Sequence, residues 1–261
     1  LCDEILTRKL RILWSDSAGL YNMNSNLVSK LRDAGCIKLW VGVESPSGKI
    51  MKFVGKNIHK LGIAEIRNRL RMIHKVGIWV GVSLIVGMPY ETESDLRTMC
   101  NFIQDCNEFV DVWQINKLQI KANSLFMQKP SDYRIEIIYD SQKNGLGFNE
   151  IQGLKWEDKQ KQQNDFFQRV VSIIGGNLYS LGTLNNVMGN DHLVFFLYRQ
   201  LHSKINVRKW INSHFSAGGE YNFKRAPTRK VFVEEKSFVE DINTGFLVPS
   251  DTMLEKIISL C

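Results

Sequence analysis

The nine residues from Ile78 to Val86 are nearly all apolar, and a glycine stands at each end, Gly77 and Gly87. Such a run is too short to span a membrane and lacks the alternation of a strand with one wet face. It reads as a strand covered on both faces, the mark of a parallel sheet. Parallel neighbours need crossover connections, so the flanking sequence should alternate between helices and further strands.

The first half of the chain has that alternation. Cys2 to Leu10 reads as a helix and Arg11 to Ser15 as a short strand. Ser25 is placed to cap a helix with apolar positions Leu27, Val28, Leu31 and Ala34, and Gly35 ends it. Ile37 to Val43 is β-rich, and a longer connection leads to a helix with Ile66, Leu70 and Ile73 on one face. After the central strand, Thr92 caps a helix whose buried stripe is Leu96, Met99, Ile103 and Cys106. Asp95 takes the capping-box position. Val110 to Ile120 is the next strand. Four strands are too few to close a barrel. The expected fold class is therefore α/β, a partial TIM-type parallel barrel. Segments 11–15, 37–43, 78–86 and 111–120 should be its adjacent strands, with helices on the outer face.

The pattern then changes twice. From about Ser131 to Arg225 the chain is rich in Lys, Gln and Asn and mostly helical in pattern, with Asp158–Ile174 and His192–Phe215 as the best helices. Lys230–Glu235, Ser237–Ile242 and Gly245–Val248 then read as short strands, and a helix starts at Pro249-Ser250. The expected units are 1–130 (partial barrel), 131–225 (mostly helical) and 226–261 (a β-β-β-α module).

Composition narrows the function classes. No apolar run approaches the roughly 20 residues of a membrane span, and no signal peptide opens the chain. Cys2, Cys36, Cys100, Cys106 and Cys261 are odd in number and scattered, which fits a reducing cytoplasm and buried thiols rather than a disulfide framework. They form no metal-ligand cluster, and the histidines, among them His59 and His74, show no shared metal spacing. The net charge of +7 permits an anionic partner. The basic stretches Arg199, Lys204, Arg208, Lys209 (beside Trp210) and Lys224, Arg225, Arg229, Lys230 read as solvated faces rather than a nucleic-acid surface. The start at Leu1, without an initiator Met, reads as mid-helix and suggests part of a longer protein.

In parallel α/β structures, ligands bind at the carboxyl ends of the strands. Three segments there carry unusual residues. Gly42-Val43-Glu44-Ser45-Pro46 puts a carboxylate and a hydroxyl after an apolar strand, suited to ribose hydroxyls or an amino group. In Gly87-Met88-Pro89-Tyr90-Glu91-Thr92 the glycine admits a ligand to the backbone and the proline stiffens the turn. Gln119-Ile120-Lys121-Ala122-Asn123-Ser124 offers backbone groups that can read a base edge.

Gly-Val-Glu-Ser at one strand end, followed by Leu-Ile-Val-Gly-Met-Pro-Tyr-Glu-Thr, resembles the radical S-adenosylmethionine family, and within it the cobalamin-binding branch. The resemblance covers roughly residues 1 to 125, the third to sixth strands of that barrel. It implies S-adenosylmethionine as cofactor, with Glu44 on the ribose and Ser45 beside it, Lys56 on the methionine carboxylate and Ser83 on the ribose. It also implies Gly87 and Pro89 beside the adenine, Ser15 at the end of its strand, and Gln119 and Ile120 framing the base. It further implies a [4Fe–4S] cluster held by a Cys-x3-Cys-x2-Cys loop that this sequence lacks, so the chain alone would be inactive. Cobalamin and the outcome of the reaction, methyl transfer or other radical chemistry, stay open. The C-terminal strands resemble the peptide-binding chaperone domain of pyrroloquinoline quinone biosynthesis and related RiPP recognition elements. That likeness implies a precursor-peptide substrate and a role in maturing a ribosomally made peptide. The alternatives are a non-catalytic substrate-delivery protein, or a radical S-adenosylmethionine enzyme acting on RNA or a small molecule.

Overall fold

The computed structural model describes residues 1–53, 55, 60–140, 145–174, 191–214, 228–233, 236–241 and 246–249. Four parallel strands form one sheet in sequence order: β1 (Trp14–Ala18), β2 (Cys36–Glu44), β3 (Trp79–Val86) and β4 (Val112–Lys117). The expected neighbours and their direction are therefore present. The bounds differ at both ends of the set. β1 starts three residues later than expected, and β4 stops at Lys117 rather than Ile120.

Helices α1 (Cys2–Thr7), α2 (Ser25–Asp33), α3 (Gly48–Phe53), α4 (Ile63–Lys75) and α5 (Glu93–Cys106) connect or flank the strands. Val28 of α2, Ile66, Leu70 and Ile73 of α4, and Leu96, Met99 and Ile103 of α5 share one core with Leu39, Val41, Val80, Val82 and Leu84. One face of the sheet is thus sealed by helices, and the period of two puts the alternate strand residues on the opposite face. α2 is capped by Asn24, whose side chain accepts from Leu27 N at 2.9 Å, and not by Ser25, the first helical residue. α5 has the expected capping box between Thr92 and Asp95.

The region after β4 is less helical at its start than its polarity suggests. A short helix, α6 (Leu125–Gln128), precedes an antiparallel hairpin of β5 (Ile135–Asp140) and β6 (Gly145–Glu150). Its small core is Ile120, Ile135 and Phe148. α7 (Trp156–Ile174) then packs along α5 and buries Phe166, Phe167 and Val170 in the main core. The long helix expected over 192–215 is two helices, α8 (Asp191–Leu201) and α9 (Lys204–His214), broken at His202 with φ +54°. Strands β7 (Thr228–Val233), β8 (Lys236–Asp241) and β9 (Phe246–Pro249) form a three-stranded antiparallel sheet with β8 in the middle. The helix expected after it lies outside the described residues. Among the described residues, no helix is long and apolar enough to cross a membrane.

Candidate functional site

The face of the sheet away from α2, α4 and α5 carries the polar residues of otherwise apolar strands. Gly42, Ser83 and Gln114 lie side by side in register across β2, β3 and β4. The row below them is Ser17, Trp40, Gly81 and Val112. A cavity of about 530 Å³ is lined by Ser17, Ala18, Gly19, Trp40, Gly42, Ser83 and Gln114, among others. It lies toward the carboxyl ends of the strands.

Two glycines shape this cavity. A Cβ on Gly81 would stand 2.5 Å from a ring carbon of Trp40, so the indole lies directly on the backbone of β3. The fully buried Lys38 places its ammonium over the same ring, 4.9 Å from its centre. Gly42 has the second role. Its absent side chain leaves room for Glu44, whose Oε1 would be 3.0 Å from a Cβ there. Glu44 has φ +63°, in the left-handed region, and the pairing of β2 with β3 slips between Gly42 and Glu44. This backbone turns the half-buried carboxylate back over Gly42, next to the Ser83 row. A left-handed conformation at a non-glycine residue costs on the order of 1–2 kcal/mol and is concentrated at functional sites.

The loops above the sheet are tied together. Ser47 Oγ donates to Asp95 Oδ1 at 2.7 Å, and Lys49 Nζ donates to Tyr90 O at 2.9 Å. Burial alone would raise the Asp95 carboxyl, but hydrogen bonds from Thr92 and Ser47 and the nearby Lys49 hold it below its ordinary value. Gly87 takes φ +91°, and its N–H donates to Glu91 Oε2 at 2.6 Å. Lys159 of α7 donates to Met88 O and Glu91 O at 3.3 Å and pairs with Glu150 at 2.7 Å, both side chains being buried. Glu150 in turn accepts from Tyr90 N at 2.7 Å and Leu154 N at 2.9 Å. Burial pushes the Glu91 carboxyl up to about 7, against the Gly87 hydrogen bond and Lys159, which lower it.

Of the residues singled out in the sequence, Glu44 and Ser83 come together at the open face. The other described ones do not join them. Ser15 is the second residue of β1, paired with Lys38, so the carboxyl end of that strand is Ser17-Ala18 instead. Ser45 is fully buried, and its Oγ accepts from Ser47 N at 3.2 Å. Gly87 and Pro89 are buried, and the space over Gly87 is filled by Gln163, whose Nε2 would be 1.8 Å from a Cβ there. Gln119 and Ile120 follow β4 rather than belong to it. Ile120 is in the hairpin core, and Gln119 lines a cavity of about 350 Å³ with Lys117, Trp156 and Gln163. Lys56 and His59 lie outside the described residues.

Sequence reasoning missed Trp40, Gln114, Lys159 and Gln163. Trp40 was signalled: Lys38, Trp40, Gly42 and Glu44 alternate with Leu39, Val41 and Val43, so one face of β2 is marked. The basic stretch of α9 also departs from its expected solvated face, because Lys204 is buried and ion-paired with Asp111 at 2.8 Å.

Among the described residues, no group of three or more His, Cys, Asp or Glu side chains is arranged to hold a metal ion. Cys36, Cys100 and Cys106 are buried free thiols. Burial pushes Cys36 and Cys106 up to about 12 and also raises Cys100, which disfavours the thiolates that an iron–sulfur cluster requires.

No family model matches the chain. A stretch of 93 residues, 36% of the chain, is 27% identical to an uncharacterized methyltransferase of Pyrococcus horikoshii and covers 20% of that protein. Among solved structures, the radical S-adenosylmethionine methyltransferase TsrM of Kitasatospora setae, with cobalamin and a [4Fe–4S] cluster bound, matches 81% of this chain and 48% of its own. The TM-score is 0.55 at 13% identity. The coproporphyrinogen III oxidase HemN of Escherichia coli, a radical S-adenosylmethionine enzyme, matches 60% of this chain and 32% of its own, with TM-score 0.42 and 14% identity. The chain thus spans about a fifth of the curated relative and about half of TsrM. It is similar in fold to TsrM.

Proposed function

We propose that this chain is part of a radical S-adenosylmethionine enzyme, its open sheet face forming the nucleoside side of a partial barrel, and that the enzyme transfers a methyl group. The observation that carries this reading is the Glu44 carboxylate folded over the Gly42–Ser83–Gln114 row, at the carboxyl ends of parallel strands in a TsrM-like fold. A carboxylate beside a hydroxyl suits the two ribose hydroxyls, and Gln114 offers both a donor and an acceptor. Trp40 gives the cavity a flat apolar wall. Bound S-adenosylmethionine would supply the group to be transferred, while this chain orients the nucleoside and keeps water from it. The described cysteines do not suit an iron–sulfur cluster, so cluster ligands would come from other residues. Cobalamin remains part of the proposal through TsrM alone. In the domain organisation that accompanies this reading, residues 1–130 form the nucleoside unit, 131–225 brace it and 226–261 are a separate module.

Calorimetric titration of S-adenosylmethionine and S-adenosylhomocysteine tests the site. Glu44→Gly and Ser83→Val should each weaken binding roughly 10- to 150-fold, the range for one lost polar contact to a ligand. Equal affinity in the parent and both variants would remove the open face from consideration.

A second reading concerns substrate delivery. β9 is an edge strand of the antiparallel sheet, which supports docking of an extended peptide by strand addition. A precursor peptide that protects the β9 amides from exchange would favour it. No protection would leave a small molecule or RNA as the substrate class.

A further inference from the structure

Another cavity lies at the other end of the sheet, where β3 and β4 begin. It has a volume of about 630 Å³, and its lining includes Lys75, Trp79, Glu108, Asp111, Lys204, Arg208 and Lys209. Lys204 Nζ is 2.8 Å from Asp111 Oδ2, and Arg208 Nε is 2.8 Å from Asp111 Oδ1. Two cations therefore share one carboxylate, which also accepts from Val80 N at 2.7 Å. Lys204 further contacts His74 Nδ1 and donates to Ile78 O, both at 2.7 Å, and Arg208 donates to Glu108 O at 2.7 Å. Lys75 and Lys209 stand exposed at the rim. Four cationic side chains thus face two acidic ones, and the excess is positive. A second, independent observation concerns Trp79. The residue is 2% exposed, and its indole Nε1 is buried with no hydrogen-bond partner among the described residues. A buried donor left unpaired costs on the order of 1–3 kcal/mol unless something accepts from it.

We infer that this cavity is a binding site for a small phosphate-bearing anion, which accepts from the Trp79 indole N–H and is held by the positive field of Lys75, Lys209 and the Lys204–Asp111–Arg208 cluster. The site is separate from the one proposed above. β3 runs between them, with Trp79 at one end and Ser83 facing the other cavity. Phosphate suits the cavity because the cationic groups carry several donors at its mouth, while Ile174, Val110 and Ile205 give the rest of the wall an apolar surface for a small organic body.

The test follows unfolding temperature against inorganic phosphate and phenyl phosphate at constant ionic strength, in the parent chain, Lys75→Ala/Lys209→Ala and Trp79→Phe. Phosphate stabilises most proteins weakly by exclusion, but that effect does not saturate and is the same in every variant. A specific site gives a saturable rise in the parent. The double lysine variant should need at least about tenfold more phosphate. Trp79→Phe removes the indole N–H and leaves a small cavity in the core, so its unfolding temperature without ligand should fall below the parent's, and it should bind roughly 3- to 10-fold more weakly. A non-saturable rise, or the same saturation in all three proteins, would overturn the assignment. Tighter binding of phenyl phosphate than of inorganic phosphate would extend the site to the apolar wall.

Discussion

Lys159 Nζ lies 2.7 Å from Glu150 Oε1 with neither side chain exposed to water, and the same ammonium donates to two carbonyls of the 88–91 turn. A buried pair of this kind is expensive to break from one side, because the remaining charge loses its partner. Lys159→Met should destabilise the chain by roughly 3–5 kcal/mol in urea unfolding. Glu150→Gln added to it should restore part of the loss. Two independent, additive losses would show that the pair is not coupled.

Glu91 gives the protein a pH dependence of definite sign. Its carboxyl rises from 4.5 to about 7 on folding, chiefly through burial. The folded chain therefore binds the extra proton between these values. Stability is fullest below the unfolded value and falls as the pH rises through about 7. The span corresponds to about 3 kcal/mol at most. Glu91→Gln, which keeps an acceptor for Gly87 N–H, should flatten the curve of unfolding temperature between about pH 4.5 and 8. An unchanged slope would place the dependence elsewhere.

Trp40 and Gly81 form an interlocked pair. Gly81→Ala pushes a methyl into the indole and should cost about 1–3 kcal/mol, the usual range for overpacking. Trp40→Leu in the same chain should recover much of that cost. A Gly81→Ala chain as stable as the parent would mean the ring moves aside freely.

Glu44 should matter more for binding than for stability. Replacing a left-handed glutamate by glycine relieves the backbone, a gain of up to about 1 kcal/mol partly offset by the freer unfolded chain. Glu44→Gly should thus weaken S-adenosylmethionine binding by more than it lowers stability. A loss of stability as large as the loss of binding would indicate that the carboxylate is structural.

The cysteines should differ in reactivity. Cys36 and Cys106, buried and raised to about 12, should resist alkylation near neutral pH until the chain unfolds, whereas the half-exposed Cys2 reacts sooner. Rapid native labelling of Cys36, mapped by mass spectrometry, would contradict its burial.

The parallel core was legible because its signal is local. Ile78–Val86 has the apolar run, and α4 and α5 have their stripes and caps. Element ends were less so: Arg11 to Leu13 look strand-like, yet pairing with β2 begins only at Trp14. The 135–150 hairpin was hidden by its polar setting, although Ile135 and Ile137 do alternate. Part of the candidate site was legible, Glu44 from its strand end and Ser83 only through the family resemblance. The rest depends on partners far along the chain: Gln163 covers Gly87, and no local pattern announces that meeting.

α7 carries both Lys159 and Gln163, one helical turn apart, and both close on the turn that follows β3. During synthesis the four strands can pair as soon as β4 leaves the ribosome, but this turn gains Lys159 and Gln163 beside its contacts with Lys49 and Glu150 only when α7 emerges. The sheet is thus assembled before its loops are fixed. A nascent chain halted between β4 and α7 should be protected from protease along its strands and cut at Gly87–Glu91, and release of α7 should close that window.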